Sequence, residues 1–95
     1  MNTYIPPVPP TGFLSYDMTL MGKTAVLSGK KQFVQENPAG KFYDHFGGDE
    51  EALCRYCINA FFHDPDNAAG LNIMRQAMSM APADLSAAIV AYYRS

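Results

Sequence analysis

The sequence predicts an α+β fold, in which a short N-terminal antiparallel β-meander packs on a three-helix C-terminal half. Two patterns lead to this prediction: short apolar stretches separated by glycines in the first third of the chain, and apolar residues at helical spacing in the second half. The chain has 95 residues, of which 48% are hydrophobic and 17% charged. This length supports one modest core, so we expect residues 13–95 to form a single small globular domain.

Residues 1–12 are predicted to form a proline-rich extended arm in front of that domain. The arm contains Pro6, Pro7, Pro9 and Pro10. Each proline fixes φ and lacks an N–H, which favours the polyproline II conformation. Two interpretations stay open. The arm covers apolar surface of its own domain through Tyr4, Ile5 and Val8, or it binds a partner.

The predicted meander follows the arm and contains two turns. Its strands are expected at residues 13–20, 24–28 and 31–35. The first of them alternates imperfectly between apolar and polar residues, as a half-buried strand does. Gly22 and Gly29 lie between the strands and are interpreted as turn residues.

The link between the two halves is predicted to turn once. Residues 37–40 read Asn-Pro-Ala-Gly, with proline second and glycine fourth, which suits a type I turn. Residues 41–46 fit one helical turn as well as a short strand, so their conformation stays open.

Capping residues and prolines mark three predicted helices in the second half. Asp49 suits the N-cap of the first helix, and Pro65 ends it because proline disfavours an α conformation in the residue before it. Asp66 or Asn67 is expected to cap the second helix. Pro82 ends that helix and fits the first turn of the third. The apolar stripes of the three helices are Leu53, Cys54, Cys57, Ile58, Ala60 and Phe61; Leu71, Met74, Ala77, Met78 and Ala81; and Leu85, Ala88, Ile89 and Tyr92.

Composition and charge exclude several classes of protein. The net charge of −2 disfavours both a generic nucleic-acid binder and a strongly acidic DNA mimic. The N-terminus lacks the basic start and apolar stretch of a signal peptide. Only two cysteines are present, unlike in a disulfide-rich secreted scaffold. We therefore expect a cytoplasmic protein with reduced thiols and no membrane association, and the start at Met1 is taken to indicate a whole chain.

Cys54 and Cys57 form the most conspicuous motif, and three interpretations compete for it. A zinc site would need His45 and His63 as further ligands, at a spacing that zinc fingers do not use. A redox pair would start its helix, whereas Cys54 is predicted well inside one. Buried core thiols are the favoured interpretation, so we predict no metal or cofactor and keep a small metal-binding protein as an alternative.

The sequence carries no recognisable catalytic arrangement. Residues 21–24, Met-Gly-Lys-Thr, match the end of a phosphate-binding loop, but Asp17 stands where that loop needs its first glycine. His63 is predicted at a helix C-terminus, where the helix dipole alone favours a cation. His45 lies among aromatic residues with no obvious nucleophile nearby. We therefore predict that the protein is not an enzyme.

Nucleic-acid binding is kept as an alternative function. The predicted meander and the link after it carry four lysines that could form a basic face: Lys23, Lys30, Lys31 and Lys41. The last two helices are separated by a short turn, as in DNA-binding helix pairs. The second of them begins with Asp84, a carboxylate where phosphate contacts are needed. Nucleic acid is therefore expected to be an unlikely partner.

The leading functional prediction is a protein–protein interaction module that acts as an inhibitor, adaptor or regulator, in the manner of an accessory protein of a mobile element. Twelve of the 95 residues are Phe or Tyr, and binding surfaces are enriched in aromatic residues. Tyr4, Phe62 and Tyr93 are the predicted partner-binding residues. A homodimer through the last two helices is a variant of this prediction, with an apolar face made of Met74, Met78, Ile89 and Tyr92.

Overall fold

The computed structural model describes the backbone of residues 11–95 and the side chains of residues 18–95. This part of the chain forms five α-helices and one 3₁₀ helix. The α-helices are α1 (Thr11–Glu36), α2 (Phe42–His45), α3 (Glu50–His63), α4 (Leu71–Met80) and α5 (Pro82–Arg94), and the 3₁₀ helix is Pro65–Gly70. The predicted proline-rich arm, with Tyr4, lies outside the described residues except for its last two, which belong to α1.

The predicted α+β fold is wrong, because no strand occurs between residues 11 and 95. The segment assigned to the meander is the single helix α1. Its two glycines lie where other helices approach most closely: a Cβ atom built on Gly22 would lie 2.6 Å from the backbone of Ala88, and one on Gly29 would lie 2.7 Å from Sγ of Cys57. The glycines therefore permit close helix packing and do not form turns.

Helix α1 is the support on which the other helices pack. Its most extensive contacts are with α5 and α3, while α3 and α5 touch each other much less. Between residues 18 and 36, the residues that α1 buries recur at helical spacing: Met18, Met21, Gly22, Ala25, Val26, Ser28, Gly29 and Phe33. Burial of this face against two helices holds the bundle together.

The link from α1 to α3 contains the predicted turn and the short helix α2. The amide of Gly40 donates to the carbonyl oxygen of Asn37 at 2.9 Å, which confirms a turn over residues 37–40. Residues 41–46, left open by the sequence, contain α2. Phe42 and Phe46 of this segment are buried and pack edge-on to each other with ring centroids 5.4 Å apart, so the link closes one end of the core.

The predicted boundaries of α3 are confirmed. The Asp49 carboxylate accepts a hydrogen bond from the amide of Ala52 at 3.0 Å, as an N-cap does. The helix ends at His63, and Asp64 is extended in front of Pro65. Five of the six residues in the predicted apolar stripe are buried, and the sixth, Ile58, is partly exposed.

The start of the next helix is predicted wrongly. The residue that caps is Asp64, whose carboxylate accepts from the amide of Asp66 at 3.0 Å and so begins the 3₁₀ helix. Asn67 instead donates through Nδ2 to Oγ of Ser28 at 2.9 Å and to the carbonyl oxygen of Phe61 at 3.1 Å. This side chain therefore joins α1, α3 and the 3₁₀ helix. Pro82 occupies the first turn of α5, as predicted.

Candidate functional site

An open groove of about 1230 Å³ lies between α3 and α5. It forms because both helices pack on α1 and make few contacts with each other. Its described lining residues come from α3, α4 and α5, and none of them belongs to residues 18–36 of α1. They are Glu50, Glu51, Cys54, Arg55, Ile58, Asn59, Phe62, Met78, Ser86, Ala87, Val90, Ala91 and Arg94.

Apolar side chains line the middle of the groove. Cys54, Ile58 and Phe62 lie four residues apart on α3, so successive turns of the helix present them along one line. Val90 of α5 faces them, and Met78 of α4, which is 40% exposed, lines the same groove. The result is a concave apolar surface that remains accessible to solvent, as binding clefts commonly are.

Charged side chains surround the end of the groove at which α3 begins. Arg94 of α5 pairs with Glu50, and Arg55 pairs with Glu51 at 3.3 Å between Nη1 and Oε2. Because these acidic and basic groups pair with each other, that end carries little net charge.

Arg75 marks the opposite end of the groove. Its guanidinium lies over the Phe62 ring, with the Cζ atom 5.4 Å from the ring centroid, a distance at which a cation and an aromatic face attract each other. A smaller depression of about 540 Å³ lined by Arg75, Phe62, Met78 and Ser79 continues the groove there. Arg75 has no carboxylate partner among residues 18–95, so this end is basic.

The two cysteines are free and buried. Cys57 is fully buried under α1, and burial raises the pKa of its thiol to about 12, with a further contribution from Cys54. Burial also raises the pKa of the Cys54 thiol, which donates to the carbonyl oxygen of Ser86 with the sulfur 3.8 Å away. Both groups are therefore thiols at neutral pH, and a thiol is a much weaker nucleophile than a thiolate.

The histidines lie away from these thiols. Nδ1 of His63 donates to the carbonyl oxygen of Asn59 at 2.7 Å in the last turn of α3. The ring of His45 packs on Phe33 and Phe46, with centroid distances of 5.1 and 4.7 Å. Within the part of the chain that the structure describes, no group of three or more His, Cys, Asp or Glu side chains is placed to hold a metal ion.

Of the predicted partner-binding residues, the structure places Phe62 and Tyr93 at different positions. Tyr4 lies outside the described residues, and Phe62 lines the groove. Tyr93 packs on Phe42, with ring centroids 5.7 Å apart, and donates its hydroxyl hydrogen to the carbonyl oxygen of Tyr43. Tyr93 therefore ties α5 to α2 and lines no part of the groove.

Sequence reasoning missed the groove itself. Ile58 and Phe62 mark the edge of the apolar stripe of α3 at i and i+4 spacing, a signal that indicates their shared face but not what lies opposite. Two residues of the predicted dimer face, Met74 and Ile89, are buried in the core of the chain. Ile89 belongs to α5, whose most extensive contacts are with α1, and Met74 belongs to α4, which packs on α5 and the 3₁₀ helix. The predicted sheet did not include this helical packing.

The four lysines of the predicted basic face are divided by the fold. Lys23, Lys30 and Lys31 belong to α1, and Lys41 precedes α2. Nζ of Lys31 lies 3.3 Å from the Asp64 carboxylate and 3.1 Å from that of Asp66, and these two acids raise the pKa of Lys31. Such pairing cancels part of the positive charge that a nucleic acid would meet.

No protein-family model matches this chain, and no curated protein or solved structure shows significant similarity to it. Among the described residues, each helix is either too short or too polar to cross a lipid bilayer.

Proposed function

We propose that the protein is a small protein-binding module whose groove between α3 and α5 receives an amphipathic helix of a partner protein. One observation carries this proposal: side chains of three helices form a continuous, concave apolar surface, and no side chain of residues 18–95 fills it. The module acts by occupying the partner's surface, as an inhibitor, adaptor or regulator, and performs no catalysis. A cytoplasmic location, where both cysteines stay reduced, belongs to the same proposal.

The dimensions of the groove suit a helix of about three turns. Its lining runs along α3 from Glu50 to Phe62, which corresponds to about 18 Å at 1.5 Å per residue. A helix of that length presents three apolar side chains at i, i+3 or i+4, and i+7, the arrangement by which amphipathic helices bind grooves. These side chains would contact Ile58, Phe62 and Val90.

Charge at the ends of the groove sets the direction of the partner helix. The charges at the end near Glu50 are balanced by ion pairs within the protein. At the opposite end, Arg75 has no carboxylate partner among the described residues. We therefore expect an acidic residue of the partner to approach Arg75, where it would add a charge-assisted contact to the apolar ones.

Selection of helical peptides that bind the full chain tests this function. A library of amphipathic 15-residue peptides is selected on the immobilised protein, and the affinity of the enriched peptides is measured by fluorescence anisotropy. We expect apolar residues at i, i+3 or i+4, and i+7, with an acidic residue at one end. Met78→Asp should weaken these peptides at least about tenfold, because it places a carboxylate in the apolar groove.

Met80→Asp is the matched control, because Met80 is also exposed on α4 but does not line the groove. This variant should bind the selected peptides as the unchanged protein does. Equal binding by Met78→Asp, or enrichment of peptides without apolar spacing, would contradict the proposal. Displacement of the peptides by a fatty acid at low concentration would assign the groove to a small apolar ligand instead.

A further inference from the structure

The outer face of α1 carries an apolar stripe that no element of the described chain covers. Leu20, Leu27 and Val34 are 51%, 45% and 61% exposed and lie seven residues apart. Thr24 and Lys31 fall between them, so the positions alternate by four and three residues along one face. This spacing is the a/d seam of a two-stranded coiled coil, in which Leu20, Leu27 and Val34 take d positions.

Two lysines flank this seam, and the acids beside it, Asp64 and Asp66, pair with Lys31. Lys23 and Lys30 occupy the g positions, which in a coiled coil contact the charged flanks of the neighbouring helix. Nζ of Lys30 is 3.2 Å from the Tyr43 hydroxyl, a contact that leaves its charge uncompensated. Between residues 18 and 36 the one acid is Glu36. Its carboxylate accepts from the Tyr56 hydroxyl at 2.7 Å.

We infer that the outer face of α1 is a docking site for an acidic amphipathic helix of a partner protein. The leucine and valine side chains pack into the seam of that helix, and its carboxylates lie opposite Lys23 and Lys30. Lys31 is already held by Asp64 and Asp66, so the seam residue opposite it is expected to be uncharged. Opposite charges at the flanks select both the partner and its register.

A second copy of this chain fits the same face poorly. In a parallel pair, Lys31 of one copy meets Lys31 of the other in the seam. In an antiparallel pair centred on Leu27, Lys23 of each copy approaches the lysines at 30 and 31 of the other. Both arrangements bring like charges together in a partly desolvated interface, which is unfavourable. An acidic helix instead places its carboxylates opposite Lys23 and Lys30 and an uncharged residue opposite Lys31.

Two designed peptides provide the probe for this site. Both are three-heptad helices with leucine at the seam; one carries glutamate at the flanking positions and the other carries lysine. Fluorescence anisotropy with the full chain should show at least about tenfold tighter binding of the glutamate peptide, weakening as salt is added. The double variant Lys23→Glu/Lys30→Glu should reverse this preference.

Two matched controls separate the seam from general surface effects. Leu27→Asp should abolish binding of the glutamate peptide, whereas Ile73→Asp, at a position of equal exposure on α4, should not change it. Lys41→Glu makes one such substitution outside α1 and should have little effect. Met78→Asp alters the groove between α3 and α5 and leaves the seam of α1 unchanged. Binding at the groove and binding at the seam are therefore tested separately, and failure of this inference is distinguishable from failure of the proposed function. Circular dichroism verifies that each variant is folded.

Three results would overturn the inference. Equal affinity for the two peptides would show that the lysines select nothing. A dimer in sedimentation that Leu27→Asp dissociates would assign the face to a second copy. Binding to phosphatidylserine vesicles, lost in Leu27→Asp and without any affinity for the glutamate peptide, would assign it to an anionic membrane surface. If Leu27→Asp does not fold, the charge-reversed variant still decides the outcome.

Discussion

Two glycines set how closely the helices approach α1. The Cα of Gly22 faces the backbone of Ala88 on α5, and that of Gly29 faces the thiol of Cys57 on α3. The obstacle differs between the two contacts, because a backbone yields only if a whole helix shifts, whereas a side chain can change rotamer. Gly22 is therefore the stricter of the two positions.

We expect Gly22→Ala to destabilise the protein by about 1–3 kcal/mol, the range for forcing an extra methyl group into a packed core. The gain in helix propensity, about 1 kcal/mol, offsets only part of this cost. Urea unfolding followed by circular dichroism measures the change. Gly47→Ala is the control, since its Cβ would meet nothing closer than 3.5 Å and should change stability by less than about 0.5 kcal/mol. Unchanged or increased stability of Gly22→Ala would show that α1 and α5 are not in close contact at this point.

At the scale of helices and turns, the sequence predicts where helices begin and end better than it predicts that residues 11–36 form the helix α1. The boundaries of α3, the turn at residues 37–40 and the start of α5 follow from Asp49, Pro65 and Pro82, whose effects on the backbone are local. Helix α1 has apolar residues on both its buried and its outer face, which removes the one-sided pattern that identifies an amphipathic helix. Gly22 and Gly29 are therefore interpreted from the sequence as turn residues, although no proline interrupts residues 11–36.

The N-cap of α3 provides a test of these local boundaries. Asp49→Ala removes the acceptor for the Ala52 amide and should cost about 1 kcal/mol. Asp66→Ala is the matched control. Asp66 is 80% exposed and pairs with Lys31 at the surface, so its loss should cost less than about 0.5 kcal/mol. Both values come from urea unfolding at neutral pH. Equal losses in the two variants would mean that the Asp49 cap contributes no more than a surface ion pair.

At the scale of the whole molecule, α1 separates two surfaces. Its inner face is buried against α3 and α5, and its outer face carries the exposed seam of Leu20, Leu27 and Val34. No side chain of residues 18–36 lines the groove. The sequence could not predict this arrangement, because the groove depends on how far apart α3 and α5 lie once both pack on α1. Phe62 was identified from the sequence, but its place in a groove is a property of the tertiary structure.

This separation predicts that both surfaces bind at the same time. A peptide selected for the groove and the glutamate peptide for the α1 seam contact different residues on different sides of the bundle. Saturating the groove should therefore change the dissociation constant of the glutamate peptide by less than about twofold, since distant sites act additively. Isothermal titration of each peptide into the protein, with and without the other, measures this coupling.

Mutual displacement would mean that the two peptides share one site, and a change of about tenfold or more would show that α1 transmits a conformational change. Independent binding would allow the protein to hold two helices at once, one in the groove and one on the α1 seam. The affinity of a partner that contains both helices would then depend on the linker that joins them.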